Sequence, residues 1–551
     1  MPRNNDWLLR RERAASWPHR TFPGATFRLA MRTCREARCR WRLIASLGLL
    51  ALAGCGAAPS APAADDRRTQ LLEEAYRGIA KYYIEPVTPG ALALAGLRGL
   101  AKVDPGISVE QQGNRLVVRQ GGHVARFTAP ASSDAEGWAA MTEQVAAVAR
   151  ADSSELAELS SDGLEQTLLS GSLTLLDRFS HYSPPALAQD RRAARDGFGG
   201  IGVTLNAEGA EVRIVEVQPE TPAAAAGLQA NDRILAIDGT EIAALAREDV
   251  VHRLRGPADS VVALDIARGD GGDRFTFSMH RALIVPPSVV LTEERGIALL
   301  RVTSFNQQTG ESVAELLRRA HRDLGGALRG IVLDLRGNPG GLLDQSVEVA
   351  SQFLDGKPVT STVGRVPESV QYFTAPHREV ETLPLAVLVN GGSASASEVV
   401  AAALQDAGRA VVIGTASYGK GTVQNVQRLP NDGELTITWA RLVAPGGYIL
   451  HQHGVIPTIC TADLPDDADG VAAALTRGAA GASAALARPR AKLDDAAWTR
   501  LRALCPSRHE DRQIEVTTAE TLLTDPALYA RALNLTPTAA ARPLAAAGVV
   551  R

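Results

Sequence analysis

Apolar and polar positions change rhythm several times along the chain. Between residues 69 and 100, Leu71, Leu72, Ala75, Ile79, Tyr82 and Tyr83 recur at helical spacing until Pro86 interrupts them. Alternation then appears at 115–119, turns at Gly121 and Gly122 and resumes at 123–127, which predicts a hairpin insert. Helical spacing returns over 132–176 and stops at Asp177, Arg178, Phe179, Ser180 and His181. Residues 68–190 are therefore expected to form a mainly helical unit.

From 197 to 285 the texture becomes short strands with regular turns. Alternation at 199–205 and 212–217 is broken by Pro219 and Pro222, and a short helix stops at Gly227. A strand ending at Asp238-Gly239, a helix over 247–255 and a strand over 261–267 follow. With its Gly-rich loop at Gly199, Gly200, Ile201 and Gly202 and its Asp232-Arg233-Ile234 strand, this segment resembles a PDZ domain of the bacterial kind. PDZ domains bind a peptide by adding it to a sheet edge, while backbone N–H groups of the glycine loop hold its carboxylate. The alternative is a β-rich spacer that binds nothing.

Strands alternate with helices from 286 to about 463. A strand over 296–302 precedes a helix over 311–324. The continuous apolar runs at 330–335, 385–390 and 410–414 suit strands covered on both faces, so an α/β core is predicted. A closing strand is expected around Tyr448, Ile449 and Leu450. Beyond 464 the chain is Ala-rich and helical, with Trp498, Leu501 and Leu504 at helical spacing. The fold class is α+β and multidomain: helical N-terminal domain, PDZ domain, α/β core and helical C-terminal extension.

Composition excludes two classes. Of 551 residues 45% are apolar and 22% charged, and 58 basic residues nearly balance 61 acidic ones, which fits neither a disordered chain nor a basic nucleic-acid binder. The balance hides an asymmetry: residues 1–54 carry a formal +8, leaving −11 for the rest. A basic stretch at 35–42 precedes twelve uncharged residues, 43–54. As a helix they would rise only ~18 Å, too short for a ~30 Å hydrocarbon core, so they read as a secretory h-region. Leu52, Ala53 and Gly54 before Cys55 resemble a bacterial lipobox, with Cys55 acylated; an ordinary signal peptide with a chance cysteine is the alternative. Met31 directly precedes the basic segment, so 1–30 could be an over-extended start. Residues 56–67 read as an Ala/Pro-rich tether. This layout places the body at the periplasmic face of the envelope, lipid-anchored. Gly56 after Cys55 favours the outer membrane.

Five cysteines occur, and Cys34 and Cys39 would leave with the leader. Cys460 and Cys505 remain, either as a disulfide or as two free thiols. No Cys-x-x-Cys or other metal spacing occurs, so neither a metal nor a cofactor is expected.

Candidate chemistry follows the run 385–390. Ser393, Ser395 and Ser397 occupy alternate positions on a strand-to-helix turn, and Ser395 with Glu398 fits a capping box. Ser395 could merely cap the helix; equally, hydroxyls at a strand's C-terminal edge stand where α/β folds place their chemistry, beside a helix N-terminus able to stabilise an oxyanion. A serine needs a base, and none of His451, His453 and His509 has a triad-like setting. Lys420, flanked by Gly419 and Gly421, can serve only if burial depresses its pKa by a few units from ~10.4. Two decoys overlap it. Gly414 to Lys420 has phosphate-loop spacing, but Gly421 stands where Ser or Thr is required. Ser417-Tyr418-Gly419-Lys420 matches Ser-x-x-Lys without its companion motifs.

Together the 391–398 serine turn, Gln405-Asp406, the 418–424 lysine segment, the 334–341 turn and the preceding PDZ unit resemble the C-terminal processing peptidases, or tail-specific proteases. The likeness spans about 71–459. It implies a serine endopeptidase in which Ser395 is the nucleophile, Lys420 the general base and Gln424 the residue orienting the lysine. It implies oxyanion donors at Ala396 and in the glycine turn, where Pro339 has no N–H and the donor is Gly340 or Gly341, with Gly340 favoured. Asp406 either organises the site or ends its helix. Substrates would be proteins with exposed C-terminal tails, with an adaptor or homo-oligomer as further partners and no nucleic acid. The competing class is an inactive, lipid-anchored PDZ scaffold.

Overall fold

The computed structural model describes residues 64–208, 211–269, 272–480 and 493–536. The leader, Cys55 and most of the tether lie outside them. Among the described residues no helix is long and apolar enough to cross a membrane.

The helical unit runs α1 (Ala64–Tyr82), α2 (Pro89–Gly99), β1 (Ser108–Gln112), β2 (Arg115–Gln120), β3 (His123–Thr128), α3 (Ala135–Asp152), α4 (Ser154–Ala157), α5 (Ser161–Leu173), β4 (His181–Ser183) and α6 (Pro185–Asp196). The apolar stripe of α1 buries Leu71, Leu72, Ala75 and Ile79 against Leu92, Leu97, Leu164 and Leu168. Thr88 caps α2 and Pro89 opens it, so the helix restarts three residues after Pro86. The expected hairpin is β2–β3. It gains β1 as a third strand, which lacks an apolar signal because only Val109 is buried.

The second unit contains β5 (Phe198–Gly200), β6 (Val203–Glu208), β7 (Glu211–Val217), α7 (Pro222–Ala226), β8 (Arg233–Ile237), β9 (Thr240–Glu241), α8 (Arg247–Leu254), β10 (Val261–Arg268), β11 (Asp273–His280) and β12 (Ala282–Ile284). Its sheet has the order β11-β10-β8-β7-β6, with β9 on β8, and β5 pairs β12 separately. β11, unforeseen in sequence, pairs the whole of β10 and exposes Phe275 on its outer face.

The core comprises β13 (Val289–Glu294), β14 (Ile297–Val302), α9 (Thr309–Leu324), β15 (Gly330–Asp334), α10 (Leu343–Ser351), β16 (Pro358–Gly364), β17 (Gln371–Thr374), β18 (Leu385–Val389), α11 (Ala396–Asp406), β19 (Val411–Gly414), β20 (Thr422–Arg428), β21 (Glu434–Val443) and β22 (Ile459–Cys460). One sheet has the order β13-β14-β15-β18-β19-β22, parallel except for β13. A second, antiparallel sheet has the order β17-β16-β21-β20, and β4 of the helical unit pairs its β21. The closing strand expected at 448–450 is reduced to a single antiparallel bridge, Ile449 opposite Val443. Positive φ at Gly447 turns this segment back, so that Ala444 N donates to Tyr448 O and Leu450 N to Leu442 O. The sheet is closed by β22 instead.

The C-terminal extension forms α12 (Ala468–Ala480), α13 (Asp495–Ala503), α14 (Gln513–Thr524) and α15 (Pro526–Asn534). Strand alternation divides the core. Ile331, Leu333 and Val387 pack with Val313, Val399 and Val400 of α9 and α11, while Val332, Ala386, Leu388 and Ile413 pack with Ile514, Leu522 and Tyr529. The extension thus covers the second face of the parallel sheet. Cys460 and Cys505 form a disulfide across 45 positions of chain.

Candidate active site

β18 ends in a buried turn that delivers Ser395 to the N-terminus of α11. Ser395 has φ 58° and ψ −114°, a conformation disfavoured for any residue with a Cβ. Such strain costs on the order of 1–3 kcal/mol and persists only where neighbours impose it. They do so here. The hydroxyls of Ser393 and Ser397 donate to Leu335 O and Asn338 O, and Ala394 N donates to Asn338 O. Of the three alternating serines, the outer two are bound to the 335–338 turn. The middle one makes no helix-capping hydrogen bond through its hydroxyl.

The other half of the capping box carries the geometry of the site. Glu398 is fully buried, and its Oε2 accepts from Ser395 N at 2.8 Å and from Lys420 N at 2.9 Å. Its Oε1 accepts from Gly419 N at 2.6 Å and from the Ser417 hydroxyl. One carboxylate oxygen therefore joins the serine and lysine backbones across 25 positions of chain. Burial pushes the Glu398 carboxyl up from the ordinary range, against the pull of these four donors.

Lys420 lies between β19 and β20. Thr422 begins a strand rather than a helix, so neither the phosphate-loop nor the Ser-x-x-Lys arrangement forms. Burial holds the Lys420 amine below the usual lysine range, with Glu398 and then Asp177 opposing it. The Phe179 ring stands 5.4 Å from Nζ and covers one side. Phe179 comes from the helical unit, whose 177–180 turn is set by Asp177 Oδ1 accepting from Phe179 N, Ser180 N and the Thr438 hydroxyl. Glu398, Phe179 and Asp177 were not assigned to the site from sequence. Only the capping-box spacing pointed to the first, and nothing local pointed to the other two.

Gln424 sits on β20 opposite Thr438, and its Nε2 donates to Thr422 Oγ1 at 2.9 Å and Thr438 Oγ1 at 3.3 Å. Among the described residues it makes no hydrogen bond to Lys420; its amide is shared between Thr422 on its own strand and Thr438 across the ladder. Asp406 occupies the far end of α11 and accepts from Gly446 N at 2.8 Å, tying down the 444–447 turn.

Gly340 backs directly onto the serine. A Cβ there would lie 2.8 Å from Ser395 Cβ and 3.0 Å from Ala396 N, and its φ is 101°. Its N–H donates to Asn338 Oδ1 at 2.8 Å. Ala396 is buried at the first position of α11.

In the PDZ unit Gly199 and Gly200 lie in β5, Ile201 is buried, and Gly202 has φ 81°. A Cβ at Gly202 would meet Thr221 at 2.4 Å, so the loop admits only glycine there. The loop leads into β6, which among the described residues pairs only β7 and leaves its other side as a sheet edge.

The comparisons assign the chain to the serine peptidases with an attached PDZ domain. Residues 296–461 match the model of peptidase family S41, and residues 191–267 match the PDZ domain model. Over 299 residues the chain is 37% identical to the carboxy-terminal-processing protease of Bartonella bacilliformis, covering 54% of this chain and 69% of that one. It is 32% identical over 305 residues to carboxy-terminal processing protease CtpB of Bacillus subtilis, covering 54% of this chain and 62% of the relative. The chain belongs to the carboxy-terminal-processing proteases of peptidase family S41. Among solved structures, the photosystem II D1 C-terminal processing protease is 24% identical with a TM-score of 0.37, over 73% of this chain and 96% of that one.

Proposed function

We propose that this chain is an endopeptidase that cleaves envelope proteins after its PDZ domain captures their C-terminal tails, using Ser395 as nucleophile and Lys420 as general base. The observation that carries this reading is the single Glu398 oxygen accepting from both Ser395 N and Lys420 N. Neutral Lys420 takes the Ser395 hydroxyl proton as Oγ bonds to the scissile carbonyl carbon. The resulting ammonium returns the proton to the leaving amine as the C–N bond breaks. Water, deprotonated by the same lysine, then cleaves the acyl-enzyme. Ala396 N–H is one oxyanion donor and Gly340 N–H the second. Since Gly340 already donates to Asn338 Oδ1, that bond must be exchanged for the oxyanion. Gln424 would orient the lysine once its amide leaves Thr438.

The free edge of β6 beside the glycine loop suits addition of a peptide strand ending in a carboxylate. The leader and Cys55 support a lipid anchor facing the periplasm. Family membership does not favour the inactive scaffold. The test is degradation of an unfolded, tagged protein with and without a free apolar C-terminus. The wild type degrades the first faster, whereas Ser395→Ala degrades neither. Equal rates on both substrates remove tail capture from the reading.

A further inference from the structure

The turn carrying Lys420 is held from behind by a helix outside the segment that matches the peptidase family. α13 follows that segment, which ends at 461, and it packs on the 448–454 turn. Trp498 stacks on His453 with ring centroids 4.7 Å apart, and Arg502 Nη1 donates to His453 O at 2.5 Å. Arg502 Nη2 donates to Ser417 O at 2.8 Å, three residues before Lys420. The 448–454 turn in turn backs the lysine loop, with Gln452 N donating to Gly419 O at 2.9 Å.

These groups converge on one point. A Cβ on Gly454, whose φ is 63°, would lie 2.6 Å from Ser417 Oγ, 2.8 Å from Arg502 Nη1 and 3.0 Å from Glu398 Oε1. The guanidinium therefore stands beside the buried carboxylate that joins Ser395 to Lys420, and only a glycine leaves room for that approach. Arg502 is half-buried, and the Cys460–Cys505 disulfide ties the chain just beyond its helix to β22.

We propose that Arg502 is a positioning residue for the catalytic pair: it sets the lysine loop through Ser417 O and His453 O and neutralises Glu398 from behind, so the C-terminal extension completes the active site. The inference rests on the Ser395/Lys420 reading. Two carbonyls bound by one planar, permanently charged group leave the loop little freedom, and a displacement of about 1 Å at a reacting group can cost on the order of a hundredfold in rate.

The test is the rate constant and stoichiometry of Ser395 acylation by a fluorophosphonate, together with kcat and KM on a peptide, in full-length wild type, Arg502→Gln and Arg502→Lys. Expected for Arg502→Gln is full stoichiometry, acylation and kcat lowered roughly ten- to a hundredfold, and KM within about twofold. Arg502→Lys, able to reach one carbonyl, should recover part of the rate. A rate constant within about twofold of wild type for Arg502→Gln overturns the proposal. So does reduced stoichiometry with an unchanged rate constant on the labelled fraction, which marks a purely structural role. If Arg502→Gln does not fold, Arg502→Lys decides by the same criteria. Failure of wild type itself to label at Ser395 would instead overturn the underlying reading of the site.

Discussion

A single buried carboxylate decides how two short motifs become one site. Glu398 was legible in the sequence only as a helix cap. Its second task, receiving the Gly419 and Lys420 amides, depends on a loop 21 and 22 residues away that no local pattern could reveal. Ser395 and Lys420 themselves were legible because their neighbours are unusual: alternating serines at a strand end, and a lysine between glycines. The Gln424 amide donates to Thr422 on its own strand and to Thr438 across the ladder, and the second of these partners was invisible without the register. The chemistry fixes a pH dependence. On the proposed reading Lys420 must be neutral to act as base, and burial lowers it, so kcat/KM should rise with pH and level off below the ~10.4 of an exposed lysine. Glu398 favours the charged amine. In Glu398→Gln the acid limb should therefore move to lower pH while the plateau falls, as a pH–rate profile would show; an unmoved limb would mean that Glu398 carries a proton at working pH. Lys420→Ala should lose cleavage by a factor of about 10⁴ or more without losing its fold by circular dichroism.

Elements with continuous or regularly spaced apolar residues were readable, and those built largely from polar residues were not. β15, β18 and β19 appear where 330–335, 385–390 and 410–414 announced them, since both faces of each strand are covered. β16 and β17 escaped notice because polar residues fill them: buried Thr360, Ser361 and Thr362 satisfy the sheet without an apolar signature. The glycine turn before α10 was legible as a turn, but its fit against the serine was not. Gly340→Ala places a methyl 2.7 Å from Ala394 O at a φ of 101°, so chemical denaturation should show a loss of about 1–3 kcal/mol, with acylation of Ser395 largely abolished. Between β22 and the end of α13 the disulfide settles the sequence's open alternative. Replacing Cys460 and Cys505 together by serine should cost about 3–4 kcal/mol of stability on a chain-entropy account, seen as a lower Tm in the absence of reductant.

Across the whole molecule, the extension after 464 changes standing most. Its Ala-rich helices are legible in the sequence as helices only; they cover one face of the parallel sheet with Ile514, Leu522, Leu523 and Tyr529 and bring Arg502 to the lysine loop. Burying such side chains contributes roughly 1.5–3 kcal/mol each, so truncation before Leu464 should give aggregated protein rather than a smaller peptidase, checked by size-exclusion chromatography. The helical unit likewise reaches the site: β4 joins β21, and Phe179 covers Lys420. Domain order was legible from changes of rhythm along the chain, whereas these crossings between domains leave no trace in any one segment. The account is tested most directly by mass-spectrometric mapping of fluorophosphonate labelling across pH in wild type and Lys420→Arg. Labelling of wild type on Ser395 that increases with pH, and none in a variant whose side chain stays protonated, is the expected result. Equal labelling of the two proteins, or labelling at a different serine, would contradict it.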